Sequence, residues 1–268
     1  MIRCYLNLYK LKYHNTIIIA TMAAMFDIFM VRDILVSILL LAASYMDLRT
    51  REISDIIWIL MLLIGLPVTI YQLIAEFHYL TALLYVISLS IALVFSLTLG
   101  YSGFFGGADA KAFIALGLIE LPRLTASSYV IPSLSIIVNS YVLSMLTILL
   151  LAIRNVLLYA KDRDIFREYE GNALLKIIIL ITSCRIRVRD LLNNPFFYFP
   201  SEIRNSKKRR LILSCRVKED SYFIGKYSPN DYIWAAPTIP LIVFIAFGFI
   251  TYRLYGNIVL KLLSLSLG

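Results

Sequence analysis

Two aspartates, Asp47 and Asp109, lie where apolar segments meet polar ones, and this placement makes them candidates for acid–base chemistry. Acids at the ends of apolar helices are costly to dehydrate, so they usually pair or line a watery cavity. Two carboxyl groups held close together cannot both ionise cheaply, so one proton is shared between them. The ionised member can take a proton from an attacking water while the protonated member donates toward the developing oxyanion. Such a pair predicts peptide hydrolysis with neither a metal nor another cofactor.

The composition predicts a membrane protein. Of the 268 residues, 60% are hydrophobic and 16% are charged, whereas about a quarter are charged in a soluble domain. The net charge of +9 is better explained by basic cytoplasmic loops than by nucleic-acid binding. The cysteines Cys4, Cys184 and Cys215 form no CxxC pair, which argues against a disulfide framework or a zinc site.

Apolar runs predict about six transmembrane helices. The predicted spans cover residues 33–45, 56–74, 80–99, 112–119, 131–151 and 233–251. The first is too short for a crossing unless it begins nearer Phe26, and the fourth is also short. We therefore expect an all-α, polytopic membrane protein with a cytoplasmic insert before the last helix.

Charge divides this chain into four parts. They are an uncertain N-terminal extension (1–30), a membrane domain with both aspartates (31–153), a basic cytoplasmic insert (154–231), and the last helix with its tail (232–268). Basic residues in the extension oppose the expected orientation, and a true start at Met25 or Met30 would remove the conflict. Within the insert, residues 173–182 are apolar but only half a span long, which predicts an interfacial or buried helix.

The basic residues also predict on which side of the membrane the aspartates lie. The insert contains Arg185-Ile-Arg-Val-Arg189 and Lys207-Lys-Arg-Arg210, and such clusters mark the cytoplasmic side. Alternation of the six spans then places both aspartates on that side, at similar depth.

The residues alone leave a structural role open. An aspartate beside arginines at a helix end, such as Asp47, is commonly a cap or an interface salt bridge. Asp109 follows Gly106, Gly107 and Ala108, small residues that permit close approach of other helices, and it lies at a helix start where a carboxylate is favoured.

Two motifs around these aspartates resemble the prepilin peptidase family of aspartyl proteases, and within it the archaeal preflagellin peptidase and class III signal peptidase branch. The first is Asp47-Leu-Arg-Thr-Arg-Glu-Ile-Ser-Asp55, and the second is Gly106-Gly-Ala-Asp109-Ala-Lys111. Ala108 stands where the second motif has a glycine in the family. The bacterial branch has an additional methyltransferase segment with paired cysteines that this sequence lacks, so methylation is not implied.

The resemblance implies a membrane endopeptidase with Asp47 and Asp109 as catalytic residues. Gly106, Gly107, Ala108 and Lys111 would support the second motif. The implied substrates are pilin-like or archaellin precursors, cut behind a short basic leader at the cytoplasmic face of the cell membrane. Such a leader would favour acidic contacts, for which Glu52 and Asp55 are candidates.

Two other functions remain open at this point. Intramembrane acids also serve proton relays, but a proton-coupled transporter would place more polar residues within its helices than the scattered serines and Asn139-Ser140 of the fifth span. A non-catalytic membrane subunit of a secretion or pilus assembly machine would keep its function without either aspartate.

Overall fold

The computed structural model describes residues 28–102, 106–125, 128–205, 208–213 and 227–267, so most of the predicted N-terminal extension lies outside the described residues. The helices are α1 (Ile28–Thr50), α2 (Asp55–Ala75), α3 (Tyr79–Ser102), α4 (Gly107–Ile119), α5 (Pro132–Lys161), α6 (Ala173–Thr182), α7 (Val188–Asn193), α8 (Leu241–Tyr255) and α9 (Ile258–Leu267). The strands are β1 (Arg123–Thr125), β2 (Ser128–Val130), β3 (Tyr169–Glu170), β4 (Cys184–Arg187), β5 (Tyr198–Pro200), β6 (Glu202–Asn205), β7 (Lys208–Leu211) and β8 (Tyr232–Pro237).

The number of membrane-spanning helices is lower than predicted. Among the described residues, α1, α2, α3 and α5 are long and apolar enough to cross a membrane, and α8 with α9 would make a fifth span with a 47° bend. The short predicted fourth span is α4, whose 13 residues reach only about 20 Å. A mostly helical, multi-pass membrane protein is therefore supported, but six spans and a cytoplasmic position for the insert are not confirmed.

Local sequence features explain where several helices begin. Ser54 caps α2 by accepting a hydrogen bond from the N–H of Ile56, and Asn172 caps α6 in the same way. Pro132 occupies the first position of α5, where a missing N–H costs nothing. These caps satisfy backbone donors that have no partner within the helix.

The main hydrophobic core surrounds α4. It joins side chains of α1, α2, α4, α5 and α8, such as Leu40, Met61, Leu116, Ile136 and Ile245, each at most 1% exposed. Because α4 is buried on several faces, it shows no amphipathic pattern, as expected for a helix inside a bundle.

Small residues allow α8 and α4 to approach their neighbours closely. A Cβ at Gly248 in α8 would overlap Ser140 in α5, and a Cβ at Gly117 in α4 would lie 2.6 Å from the Cβ of Ala92 in α3. Small residues at such crossings are typical of helix packing in membranes.

Four charged residues form a buried ion cluster at one end of the bundle: Arg32 and Asp33 in α1, Glu120 after α4, and Arg253 in α8. Arg32 Nη2 lies 2.8 Å from Asp33 Oδ1 and 3.1 Å from Glu120 Oε1, and Arg253 Nη1 lies 3.0 Å from Glu120 Oε2. Arg253 also contacts Asp33. The cluster connects α1, α8 and the end of α4. Because Arg32 takes part in it, α1 extends toward the N-terminus beyond Asp33, where the sequence analysis placed its start.

The region between α5 and α8 contains two three-stranded sheets, ordered β3-β7-β6 and β4-β8-β5. Strand β8 precedes α8 and pairs antiparallel with β4 and β5, so residues 232–237, which the sequence analysis assigned to the last helix, form a strand of this sheet instead. The prediction of an all-α protein is therefore only partly confirmed. These strands have two to six residues, too few for the sequence to show clear alternation.

This region, which we call the insert, has its own core. The rings of Phe166 and Trp234 stack with centroids 5.2 Å apart. Glu202 is buried beside them, where its carboxylate accepts hydrogen bonds from the Trp234 N–H at 2.9 Å and from the Tyr227 hydroxyl at 3.1 Å. Burial raises the pKa of the Glu202 carboxyl above its ordinary value.

We expect Glu120→Gln to destabilise the protein strongly, by roughly 3–5 kcal/mol, because it leaves two buried arginines with Asp33 as the one remaining carboxylate of the cluster. Thermal unfolding of the detergent-solubilised protein would measure the loss. Glu76→Gln, at the exposed end of α2, is the matched control. Equal unfolding temperatures for the two variants would show that the cluster does not stabilise the bundle.

Candidate functional site

Asp47 lies in the last turn of α1, at the end opposite the ion cluster, and is 8% exposed. Its Oδ1 accepts a long 3.5 Å contact from Arg51 Nη1. Its Oδ2 is buried without a hydrogen-bond partner among the described residues. A buried carboxylate oxygen without a partner is costly, which makes Asp47 a candidate functional residue.

Asp109 is the third residue of α4 and its side chain closes the start of that helix. Its Oδ2 accepts a 3.1 Å hydrogen bond from the N–H of Gly106, and its own N–H donates to the Gly106 carbonyl. A carboxylate in the first turn is also favoured by the helix dipole. The position therefore fixes the carboxyl group at the end of α4 that faces Asp47.

The two aspartates lie close enough for their charges to interact. Each comes from a different helix, and the helices run in opposite directions, since α1 ends and α4 begins at this site while Arg32 and Glu120 meet at the other end. The structure thus brings together the two residues that the sequence analysis singled out. Their catalytic roles remain predictions.

Arg51 joins this pair to the insert. It follows α1 with a positive φ of 59°, a left-handed conformation that is uncommon outside glycine. Its Nη2 donates a 2.7 Å hydrogen bond to the Thr238 carbonyl, and its guanidinium lies 5.0 Å from the centre of the Phe197 ring. Its charge acts on both Asp47 and Asp109, so one side chain contacts the site and the insert together.

Aromatic rings form one wall of the site beside Asp109. Tyr141 in α5 is close enough to interact electrostatically with Asp109. Phe95 in α3 makes edge-to-face contacts with both Tyr141 and Phe113, at centroid distances of 5.8 and 5.4 Å. These rings join α3, α4 and α5 into one packed group.

Among the other residues named in the sequence analysis, Gly106 contacts the pair through its hydrogen bonds with Asp109, whereas Lys111, Asp55 and Glu52 form no hydrogen bond with either aspartate among the described residues. Lys111 donates a 2.6 Å hydrogen bond to Asp55, and both side chains are exposed. Glu52 is exposed in the turn after α1. A Cβ would find open space at Gly107 and only a 3.6 Å contact at Gly106, so close helix packing does not explain these two glycines.

Sequence reasoning missed the contacts of Arg51 with Thr238 and Phe197. Every residue has a backbone carbonyl, and a single phenylalanine belongs to no motif, so neither contact could be recognised from the sequence. It also missed the ion cluster. A signal for that cluster existed, since Arg32, Asp33, Glu120 and Arg253 are isolated charges beside or within apolar segments, where unpaired charges are costly.

Comparison with known proteins connects this site to a family. Residues 34–160, which include both aspartates, match the type IV leader peptidase family. The preflagellin peptidase of Methanococcus maripaludis is 28% identical over 87% of this chain and 99% of its own length. Those of Methanococcus voltae and Methanocaldococcus jannaschii are each 24% identical, over 84% and 85% of this chain and 94% and 95% of their own lengths. The predicted resemblance is confirmed.

We expect cysteines at positions 47 and 109 to be joined by a short bis-maleimide crosslinker, because α1 ends and α4 begins at the same end of the bundle and the two carboxyl groups interact electrostatically. The experiment uses a background in which the native cysteines are replaced. Ser37→Cys with Asp109→Cys is the control pair, since Ser37 lies about 15 Å from Asp47 along α1. Equal crosslinking of both pairs, measured by gel mobility after cleavage of the loop between them, would contradict the geometry.

Proposed function

We propose that this homologue of the type IV leader peptidases is a membrane aspartyl endopeptidase whose catalytic pair is Asp47 and Asp109. The similarity to preflagellin peptidases over most of the chain supports a leader peptidase function. The observation that carries the aspartyl mechanism is that α1 ends and α4 begins at the same end of the bundle, which brings both carboxyl groups within electrostatic reach of Arg51 and of each other. Acids at the ends of apolar helices usually pair or line a watery cavity, which supports a shared role for the two carboxyl groups.

The contact with Arg51 suggests which carboxyl group acts as the general base and which as the general acid. A cation favours the ionised form of the carboxylate beside it, and Arg51 Nη1 lies nearest Asp47. We therefore assign Asp47 as the base that takes a proton from the attacking water. Asp109, beside the aromatic wall, would hold the shared proton and donate it toward the carbonyl oxygen of the substrate.

Arg51 is a positioning residue in this mechanism. Its guanidinium holds Asp47 through one nitrogen and the Thr238 carbonyl through another. A planar guanidinium suits hydrogen bonds to two different groups, because its donors have a fixed geometry. The insert thereby sets the orientation of the proposed base.

The proposed substrates are pilin-like or archaellin precursors, as the relatives' name and the resemblance suggest. Basic residues gather in the insert, which favours a cytoplasmic position for the insert and for the neighbouring aspartates. The substrate's apolar segment would lie in the bilayer while its scissile bond reaches the water-accessible end of the bundle. Glu52 and Asp55 are the proposed acidic contacts for the leader.

We expect Asp47→Asn and Asp109→Asn each to abolish cleavage of a tagged precursor, because the proton transfer needs both carboxyl groups. Membranes containing matched amounts of each variant would be assayed by the change in size of the precursor. Near-normal cleavage by either variant would remove that aspartate from the mechanism.

Glu52→Gln is the matched control for loss of a carboxylate in the same segment. It should keep the wild-type kcat, and it should raise KM for a lysine-rich leader more than for a neutral one. An unchanged KM would end the proposed contact between Glu52 and the leader without affecting the assignment of the aspartates.

We expect Arg51→Ala to lower kcat at least about tenfold, equivalent to about 1.4 kcal/mol of transition-state stabilisation. Its pH–rate profile should also move to higher pH, because the site loses the cation that acts on Asp47 and Asp109 and favours ionised carboxylates. Arg51→Lys should restore the profile more than kcat, since a lysine keeps the charge but not the divided hydrogen bonds. A lower kcat with an unchanged profile would limit Arg51 to a structural role.

A further inference from the structure

A basic pocket of about 470 Å³ lies where the end of α5 meets the insert, away from the aspartates. Arg154 and Lys161 of α5 and Arg185 of β4 line it, together with Tyr232 and one carboxylate, Asp162. Three positive charges against one negative charge make this pocket suited to an anion.

The cations of this pocket have no ion-pair partner within the described part of the chain. The Arg185 guanidinium lies 5.7 Å from the centre of the Tyr232 ring, and its Nε is buried with no hydrogen-bond partner among the described residues. Structural arginines in such surroundings usually pair with carboxylates. The pocket therefore offers donors that its own side chains leave unused.

The depth of Arg154 places this pocket at a membrane boundary. No charged side chain occurs in α5 from Pro132 to Ile153, a length of about 33 Å. That length matches the hydrocarbon core of about 30 Å. Arg154 is thus the first charge beyond the core, at the level of lipid headgroups.

An apolar groove of about 520 Å³ adjoins the basic pocket and shares Arg154 with it. Its walls include Ile148 and Leu151 of α5, Ile181 of α6, and Ile239 after β8. The groove and the pocket together provide an apolar site on the core side of Arg154 and a cationic site beyond it.

We propose that the pocket and groove together bind one anionic phospholipid, with its phosphate among Arg154, Lys161 and Arg185 and an acyl chain in the groove. A basic leader peptide does not fit this site, because like charges would repel it. A free phosphate would use the pocket but leave the groove empty. Thr238, whose carbonyl binds Arg51, also lines the groove, so the bound lipid would lie beside the contact that positions Asp47.

Lipid retention by the full chain tests this proposal without any precursor, so its outcome is independent of the peptidase assignment. Protein from vesicles of equal parts phosphatidylcholine and phosphatidylglycerol is purified in mild detergent, and the retained lipids are quantified by mass spectrometry. Wild type should retain phosphatidylglycerol in preference to phosphatidylcholine. In the double variant Arg154→Gln, Arg185→Gln, that preference should be about 25-fold weaker, because each basic residue near a charged surface contributes about fivefold.

Three controls make the result decisive. Arg189→Gln removes an exposed charge of α7 and should leave retention unchanged, whereas Arg154→Lys should keep most of it. Wild-type retention by the double variant, or an equal loss with Arg189→Gln, would overturn the proposal. So would release of the lipid by millimolar inorganic phosphate, which would show that the groove contributes nothing. Gel filtration of each variant checks that it remains folded.

Discussion

The buried ion cluster is the constraint on which the candidate site depends. Asp47 and Asp109 can act together only if α1 and α4 keep the same register along the bundle axis. Apolar packing alone fixes such a register poorly, because methyl groups can exchange one set of neighbours for another at small cost. Arg32 and Arg253 both bind Glu120, so the start of α1, the end of α4 and the end of α8 are held together. A displacement along either helix would separate buried charges at one end and the carboxyl groups at the other.

The second constraint comes from the insert. Strand β8 is followed by α8, and Thr238, which lies between them, carries the carbonyl that binds Arg51. The left-handed backbone of Arg51 costs free energy that its contacts with Asp47, Thr238 and Phe197 must offset. Such conformations concentrate at functional sites, and here the conformation lets one guanidinium reach both the membrane bundle and the insert. The insert therefore contributes contacts to the site itself.

The sequence predicted the components of this site better than their surroundings. Asp47 and Asp109 were identifiable because acids at the ends of apolar runs are rare, and the run 173–182 coincides with α6. The six predicted spans are not confirmed, because α4 has 13 residues, too few to cross a hydrocarbon core. The sheets were missed because strands of two to six residues show no clear period. The pairing of Arg51 with Thr238 depends on tertiary structure, since any residue supplies a carbonyl.

The short length of α4 has a consequence for the hydration of the two aspartates. At about 20 Å, it is some 10 Å shorter than an average hydrocarbon core. Because α4 is enclosed by longer helices, such as α1, α2 and α5, lipid does not adjust to its length, and the shortfall would leave room for water within the bundle where α4 begins. The end of α4 that carries Asp109 would then sit in a hydrated depression below the surrounding headgroups. Solvent would reach the carboxyl groups because the helix is short, without a polar channel through the bundle.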